Sequence, residues 1–378
     1  MKKNKAKKII QAFLCEMDIQ TNGERAWDIN IHREEFYPHV LSGGSLALGE
    51  SYIDGWWDCD ALDQFFKKIF DHQIDRKIKP VNISHIWDII RSRVMNVQKQ
   101  ARAFIIGRKH YDLGNMLFSS MLDTGLNYSC AYWYRAKDLD TAQTDKLDLI
   151  CRKLDLRPGM TVLDIGCGWG GFARFAAENY QVAVIGITVS KEQAEYARRI
   201  CKGLDVTIKL MDYRKLDERV DRVVSIGMIE HVGYKNYGAY MEIARQCLKK
   251  NGLFLLHTIG SNRSGKTVDP WIQKYIFPNS MLPSAKQILA ASEKFFILED
   301  FHNLGYYYDK TLMAWHKNFV ENWRHLKHQY DDRFYRMWTY YLLSCAASFR
   351  ARRNQLWQIV FSIKGIKGIF RTEGRLFV

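Results

Sequence analysis

Residues 162–171 read Val-Leu-Asp-Ile-Gly-Cys-Gly-Trp-Gly-Gly, with Asp164 inside an apolar run and Gly166, Gly168 and Gly170 at every second position after it. Glycine lets a backbone approach a ligand closely and take up positive φ at little cost. The stretch therefore reads as a buried strand ending in a nucleotide-binding turn, followed by a helix over 172–179. A dinucleotide fold carries G-x-G-x-x-G and an acid ending the next strand. Here the spacing is G-x-G-x-G, and the acid stands two residues before the first glycine. That acid suits a ligand bearing an amino group and points to S-adenosylmethionine rather than NAD.

Three further strand ends carry polar groups. They are Gly186-Ile187-Thr188 running into Ser190 and Gln193, then Met211-Asp212-Tyr213, then Gly227-Met228-Ile229-Glu230-His231. In an open α/β sheet, ligands bind beyond the carboxyl ends of the strands. Methyltransferases often place an acid at the second end for the ribose hydroxyls, and this chain offers Thr188 and Gln193 instead. Asp212 can accept from an adenine amine while the Tyr213 ring stacks on the base.

The elements that must position these groups follow from apolar runs and turn residues. Strands are expected at 161–166, 181–187, 205–210, 221–226, 252–258, 295–302 and 355–363. Helices lie between most of them, the rhythm of a parallel sheet with crossover helices. Ser190 with Gln193 three residues later predicts a capping box. A helical insertion rich in Tyr, Trp, Phe and His is expected over 308–352. Residues 1–80 read as a smaller α+β domain with a turn at Ser42-Gly43-Gly44-Ser45. Residues 81–108 read as a basic, helix-compatible linker, and 109–378 as the catalytic α/β domain.

With 378 residues and 47% hydrophobic content, the chain can bury two cores, and its net charge of +15 implies an anionic partner. No apolar run approaches the ~18 residues that would span a bilayer. The Lys-rich start gives way to a short apolar patch before Glu16 and Asp18, which argues against a signal peptide. Eight cysteines without a C-x-x-C pair argue against a zinc site or any other metal and read as reduced cytosolic thiols. Asn/Asp-Pro-Pro-Tyr and Pro-Cys, used in nucleic-acid methylation, are both absent. The charge then points to lipid headgroups, with no nucleic acid as partner.

Together these residues resemble the bacterial cyclopropane-fatty-acyl-phospholipid synthases, relatives of the mycolic acid cyclopropane synthases. The likeness rests on Tyr111-Asp-Leu-Gly-Asn115, Tyr128-Ser-Cys-Ala-Tyr-Trp133, the glycine turn and Gly227-Met-Ile-Glu-His-Val-Gly233. It extends through Leu255-Leu-His-Thr-Ile-Gly260, Asp269-Pro-Trp-Ile272, Lys274-Tyr-Ile-Phe-Pro278, Leu312-Met-Ala-Trp315 and Tyr340-Tyr-Leu342 leading to Cys345. Leu48-Gly-Glu-Ser-Tyr-Ile-Asp-Gly-Trp-Trp57 resembles the amino-terminal domain of the phospholipid enzymes, so the likeness covers nearly the whole chain.

The resemblance implies a class I S-adenosylmethionine-dependent methyltransferase fold, Rossmann-like, with a seven-stranded, mostly parallel sheet. It implies methyl transfer to the cis double bond of an acyl chain esterified in a membrane phospholipid, then proton loss to close a cyclopropane ring. Tyr128, Ser129, the glycine turn, Thr188, Gln193, Asp212 and Tyr213 match cofactor positions. Cys130, Glu230, His257, Ile259 through its backbone, and Tyr308 match positions that hold a bicarbonate ion, and Cys345 matches a cysteine proposed as catalytic. A homodimer is also implied.

An unactivated alkene needs proximity and a dry cavity, and aromatic faces can stabilise the cation formed on it. The ring-closing proton needs a base, for which a bicarbonate held by His257, Tyr308, the Cys130 thiol and the Ile259 N–H would serve. An ionised Glu230 would repel that anion, so Glu230 is either protonated or orients His257. Lys2, Lys3, Lys5, Lys7 and Lys8 before Ile9, Ile10, Phe13 and Leu14 are expected to dock on anionic lipid and insert an apolar face. The basic, aromatic carboxy-terminal stretch is a second such surface, placing the enzyme on the cytoplasmic face of the membrane. The rival reading is an S-adenosylmethionine-dependent methyltransferase acting on another lipid or small molecule without ring closure.

Overall fold

The computed structural model describes residues 3–72, 114–265, 267–367 and 370. The linker expected at 81–108, and Tyr111 to Leu113, lie outside them. The chain divides into two compact units. One takes Met1–Met95, Thr267–Pro278 and Tyr308–Asn354; the other takes Asn96–Lys266, Asn279–Tyr307 and Gln355–Val378.

The second unit is built on a seven-stranded sheet. Its strands are β1 (Thr161–Ile165), β2 (Ala183–Thr188), β3 (Val206–Leu210), β4 (Val220–Ile226), β5 (Leu248–Ser261), β6 (Ile297–Asn303) and β7 (Asn354–Ser362). All seven expected strands form, and β5 extends furthest beyond its expected bounds. The order is β3-β2-β1-β4-β5-β7-β6. Strands β1 to β5 pair in parallel, and β6 runs antiparallel to β7 with Phe301 opposite Ile359.

Apolar runs form the inner strands β1 and β2, whose faces are both covered, whereas the edge strand β6 is polar and partly exposed. Alternate residues face opposite ways. Leu163, Ile165, Val223, Phe254 and Leu256 pack with Tyr240 and Met241 of helix Tyr237–Cys247. Val162, Val184, Val224 and Leu255 pack on the other side with Ile150 and Phe172, from helices Leu139–Lys153 and Gly171–Tyr180. The strand order reverses between β1 and β4, where α/β sheets open a crevice for ligands.

The expected capping box is only half formed. Ser190 Oγ accepts from the Gln193 N–H at 3.3 Å, but the Gln193 side chain is bonded to Thr188 instead of returning to Ser190. A reciprocal box forms at Ser284 and Gln287, outside the strand-end motifs.

In the first unit, helix Lys3–Glu16 packs Ala6, Ile10 and Leu14 inward, against helix Phe36–Ile53. This corrects the membrane-inserting face expected there: Ile10 and Leu14 are spent on the protein's own core, leaving only Ile9 and Phe13 half-buried. The turn expected at 42–45 is a kink within helix Phe36–Ile53, made at Gly44, whose φ of 60° and ψ of −139° suit glycine alone. The helical insertion is two helices, Gly305–Leu326 and Asp332–Arg350, the second capped by Asp331. Many of its rings are core. Tyr340 lies 4.4 Å from Trp271, 5.0 Å from Phe66 and 5.5 Å from Tyr52, centroid to centroid. Among the described residues no helix is long and apolar enough to cross a membrane.

Candidate active site

A cavity of about 180 Å³ opens beyond the carboxyl ends of β1 to β4. Nine of the ten sequence-predicted cofactor residues line it: Tyr128, Ser129, Asp164, Gly166, Gly168, Thr188, Gln193, Asp212 and Tyr213. Gly166 stands at φ 89°, and a Cβ there would fall 2.8 Å from Met228 Cγ, so the turn needs glycine for conformation and for space. Gly170 is not in the lining. It precedes helix Gly171–Tyr180 in the left-handed region, and a Cβ there would stand 2.9 Å from Ala197 Cβ. Its glycine seats that helix against the neighbouring one, Lys191–Ile200.

Thr188 and Gln193 act as a pair. Thr188 Oγ1 donates to Gln193 Oε1 at 2.9 Å and accepts from the Ser190 N–H at 3.2 Å. The Gln193 amide N–H therefore has its direction fixed. Asp212 departs from expectation, because Arg214 engages both of its oxygens. The Arg214 backbone N–H donates to Oδ1 at 3.0 Å and Nη1 to Oδ2 at 2.8 Å. Any acceptance from an adenine amine must share a carboxylate already held by a cation. Sequence reasoning missed Arg214, although an Asp two residues before an Arg at a 3₁₀ start is a recognisable Asx-type cap.

Asp164 is buried, and its Oδ1 has no hydrogen-bond partner among the described residues. Burial raises its carboxyl to about 7, opposed by the positive charge of Lys146. Lys146, also missed, lines the same cavity from helix Leu139–Lys153.

The second constellation lies where β4 and β5 end. Ile259 donates its backbone N–H to Glu230 Oε1 at 2.7 Å, while Glu230 Oε2 is buried with no hydrogen-bond partner among the described residues. Burial pushes the Glu230 carboxyl up to about 7. Gly227, which lines the cavity, donates its N–H to the His257 carbonyl at 2.8 Å. His257 Nδ1 lies 3.3 Å from Gln358 Nε2 on β7. An amide nitrogen only donates, so Nδ1 accepts and the ring proton sits on Nε2. That Nε2–H is buried with no partner among the described residues. Burial, then the charges of Lys146 and Lys153, hold the imidazole well below its ordinary range, so the ring is neutral.

Two expectations change here. The Ile259 N–H does not face an open anion site, because Glu230 has taken it. Among the described residues no hydrogen bond joins Glu230 to His257; the His257 ring is engaged by Gln358, and burial raises the Glu230 carboxyl. Glu230 Oε2 and His257 Nε2 are each buried without a hydrogen-bond partner among the described residues. Cys130 is buried, and its Sγ lies 3.3 Å from the Ala131 carbonyl oxygen.

Tyr308 and Cys345 belong to the first unit. The Tyr308 ring packs 4.6 Å from Phe349 and 5.9 Å from Trp315. Burial, aided by the charge of Asp269, pushes the Cys345 thiol up to about 12. A thiol held protonated is a poor nucleophile.

Residues 98–359 match the family model described as mycolic acid cyclopropane synthetase. The chain is 51% identical over 364 residues to the cyclopropane-fatty-acyl-phospholipid synthase of Escherichia coli (strain K12), covering 96% of this chain and 95% of that one. Among solved structures it is similar to the cyclopropane synthase MmaA2 from Mycobacterium tuberculosis, with a TM-score of 0.66 at 31% identity, covering 71% of this chain and 100% of that one. The mycolic acid cyclopropane synthase CmaA1 complexed with SAH and CTAB aligns with a TM-score of 0.65 at 33% identity, covering 68% and 98%. The sheet is accordingly that of the class I S-adenosylmethionine-dependent methyltransferases.

Proposed function

We propose, for a chain that belongs to the mycolic acid cyclopropane synthetase family, that it converts the cis double bond of an unsaturated phospholipid acyl chain into a cyclopropane ring. The added carbon comes from S-adenosylmethionine, and the transferred methyl group loses one proton as the ring closes. The observation that supports this reading is the neutral, buried His257, whose backbone carbonyl accepts from Gly227 of the cofactor-cavity lining, together with a buried Glu230 whose carboxyl is raised by burial.

S-adenosylmethionine, when bound, supplies a methyl group on a sulfonium centre. Asp164, Gly166 and Gly168 would cradle its amino-acid end, the Thr188–Gln193 pair its ribose, and Asp212 with Tyr213 its adenine. Bicarbonate would be held by His257 through Nε2–H and by Glu230 through Oε2, with Cys130 matching a further position; when bound it would supply a small base for the ring-closing proton. The chain's own residues prepare that chemistry. Gln358 fixes the His257 proton on Nε2, and burial keeps the ring neutral, so that it donates without repelling a nearby sulfonium. Burial also keeps the Glu230 carboxyl protonated up to about pH 7, which lowers its repulsion towards an anion.

The net charge of +15 supports reversible docking on the anionic cytoplasmic leaflet. Incubating the protein with unsaturated phospholipid vesicles and S-adenosylmethionine tests the function. Acyl chains heavier by one CH₂, with the upfield proton resonances of a cyclopropane, are expected. A methyl-branched product would overturn ring closure.

A further inference from the structure

The cavity's charges do not balance among themselves. Asp212 is paired with Arg214, whereas among the described residues no ion pair joins Asp164 and Lys146 to each other or to another group. Both are buried, so each holds a charge, or the capacity for one, that water cannot solvate. Lys146 Nζ donates to Asn127 Oδ1 at 3.2 Å and to Ser129 Oγ at 3.1 Å. An ammonium has three N–H donors, which leaves one for the cavity that Lys146 lines.

Its direction is well fixed. The Asn127 amide is held by Asp123, which accepts from Nδ2 at 2.7 Å, so Oδ1 must face Lys146. One turn earlier on the same helix, Gln143 Nε2 donates to the carbonyls of Asn127 and Ser129 at 3.2 and 2.9 Å. Gln143 and Lys146 thus grip the 127–129 loop, which carries two of the predicted cofactor residues.

A buried cation and a buried acid left unpaired in one cavity complement an α-amino acid zwitterion. We propose that Lys146 binds the methionyl carboxylate of S-adenosylmethionine, while Asp164 takes the α-ammonium. This rests on the reading of the cavity as the S-adenosylmethionine site. Depression of the Lys146 ammonium to about 8 by burial agrees with a cation awaiting an anionic partner.

The test is calorimetric titration with S-adenosylmethionine and with its decarboxylated analogue, which keeps the amine and sulfonium but lacks the carboxylate. Wild-type protein should favour the parent compound by roughly 30-fold or more, since a buried charge pair is lost with the carboxylate. In Lys146→Met that preference should shrink to within about threefold. Lys146→Gln serves as the second variant, because its amide N–H can still bond to the 127–129 loop; it should lose the preference as well, with an unchanged melting temperature. A merely structural lysine would weaken both ligands equally and leave the ratio intact, and that result overturns the proposal. Wild-type protein that binds neither compound would overturn the cofactor site itself.

Discussion

His257 on β5 and Gln358 on β7 face each other across neighbouring strands, Nδ1 to Nε2 at 3.3 Å, and this single contact decides which imidazole nitrogen carries the proton. Gln358→Glu replaces the donor with an acceptor and moves the proton to Nδ1. The kcat should fall roughly 100-fold, as when a positioned proton-handling group is lost, with the KM for S-adenosylmethionine unchanged. Steady-state kinetics on vesicles with labelled cofactor checks this, and a wild-type kcat would remove Gln358 from the mechanism.

Glu230 links stability to pH. Its folded-state value of about 7 lies above the ordinary 4.5, so its contribution is full below pH 4.5 and is lost as pH rises through 7. Glu230→Gln removes that loss. Relative to wild type, the variant should gain stability between pH 5 and pH 8 by roughly 3 kcal/mol at most. Urea melts of both proteins at the two pH values measure it; an equal difference at both would mean an ordinary carboxyl.

Gly166→Ala forces a side chain into positive φ and against Met228. A cost of about 2 kcal/mol in stability is expected, together with weaker S-adenosylmethionine binding. Adding Met228→Ala should relieve the contact without restoring stability fully, because the backbone strain remains. Full recovery in the double variant would show that only space matters.

Arg214→Met leaves the Asp212 carboxylate buried without its cation. About 2 kcal/mol should be lost, less than for a fully enclosed pair because the guanidinium is partly exposed. Asp212→Asn in the same chain should recover most of it. Strictly additive losses in a double-mutant cycle would refute the coupling.

Cys345→Ser should keep kcat within about threefold of wild type, since a thiol held near 12 supplies no thiolate at neutral pH. Loss of activity with an unchanged melting temperature would restore a chemical role to this cysteine.

The sheet was legible because strands covered on both faces leave apolar runs such as Ala183–Thr188, whose pattern few other elements share. The glycine turn was legible because its spacing reflects a backbone requirement. Gln358 was not. It lies 101 residues from His257, and a glutamine within an apolar strand carries no mark of the partner across the sheet. Lys146 was hidden differently: it stands beside Asp145 and near Asp148, so its helix reads as an ordinary charged face. The stripe of Ile10 and Leu14 shows the remaining limit, since an apolar helix face is the same in sequence whether lipid or protein covers it.

Glu230 also fastens the backbone: its side chain takes the Ile259 amide of β5, and its carbonyl takes the Met281 amide. Truncating it to alanine would unfasten the tip of a central strand as well as delete an acid. An inactive alanine variant at 230 would thus be silent on whether the enzyme lost its chemistry or its scaffolding, whereas an isosteric amide keeps the fastening and isolates the charge.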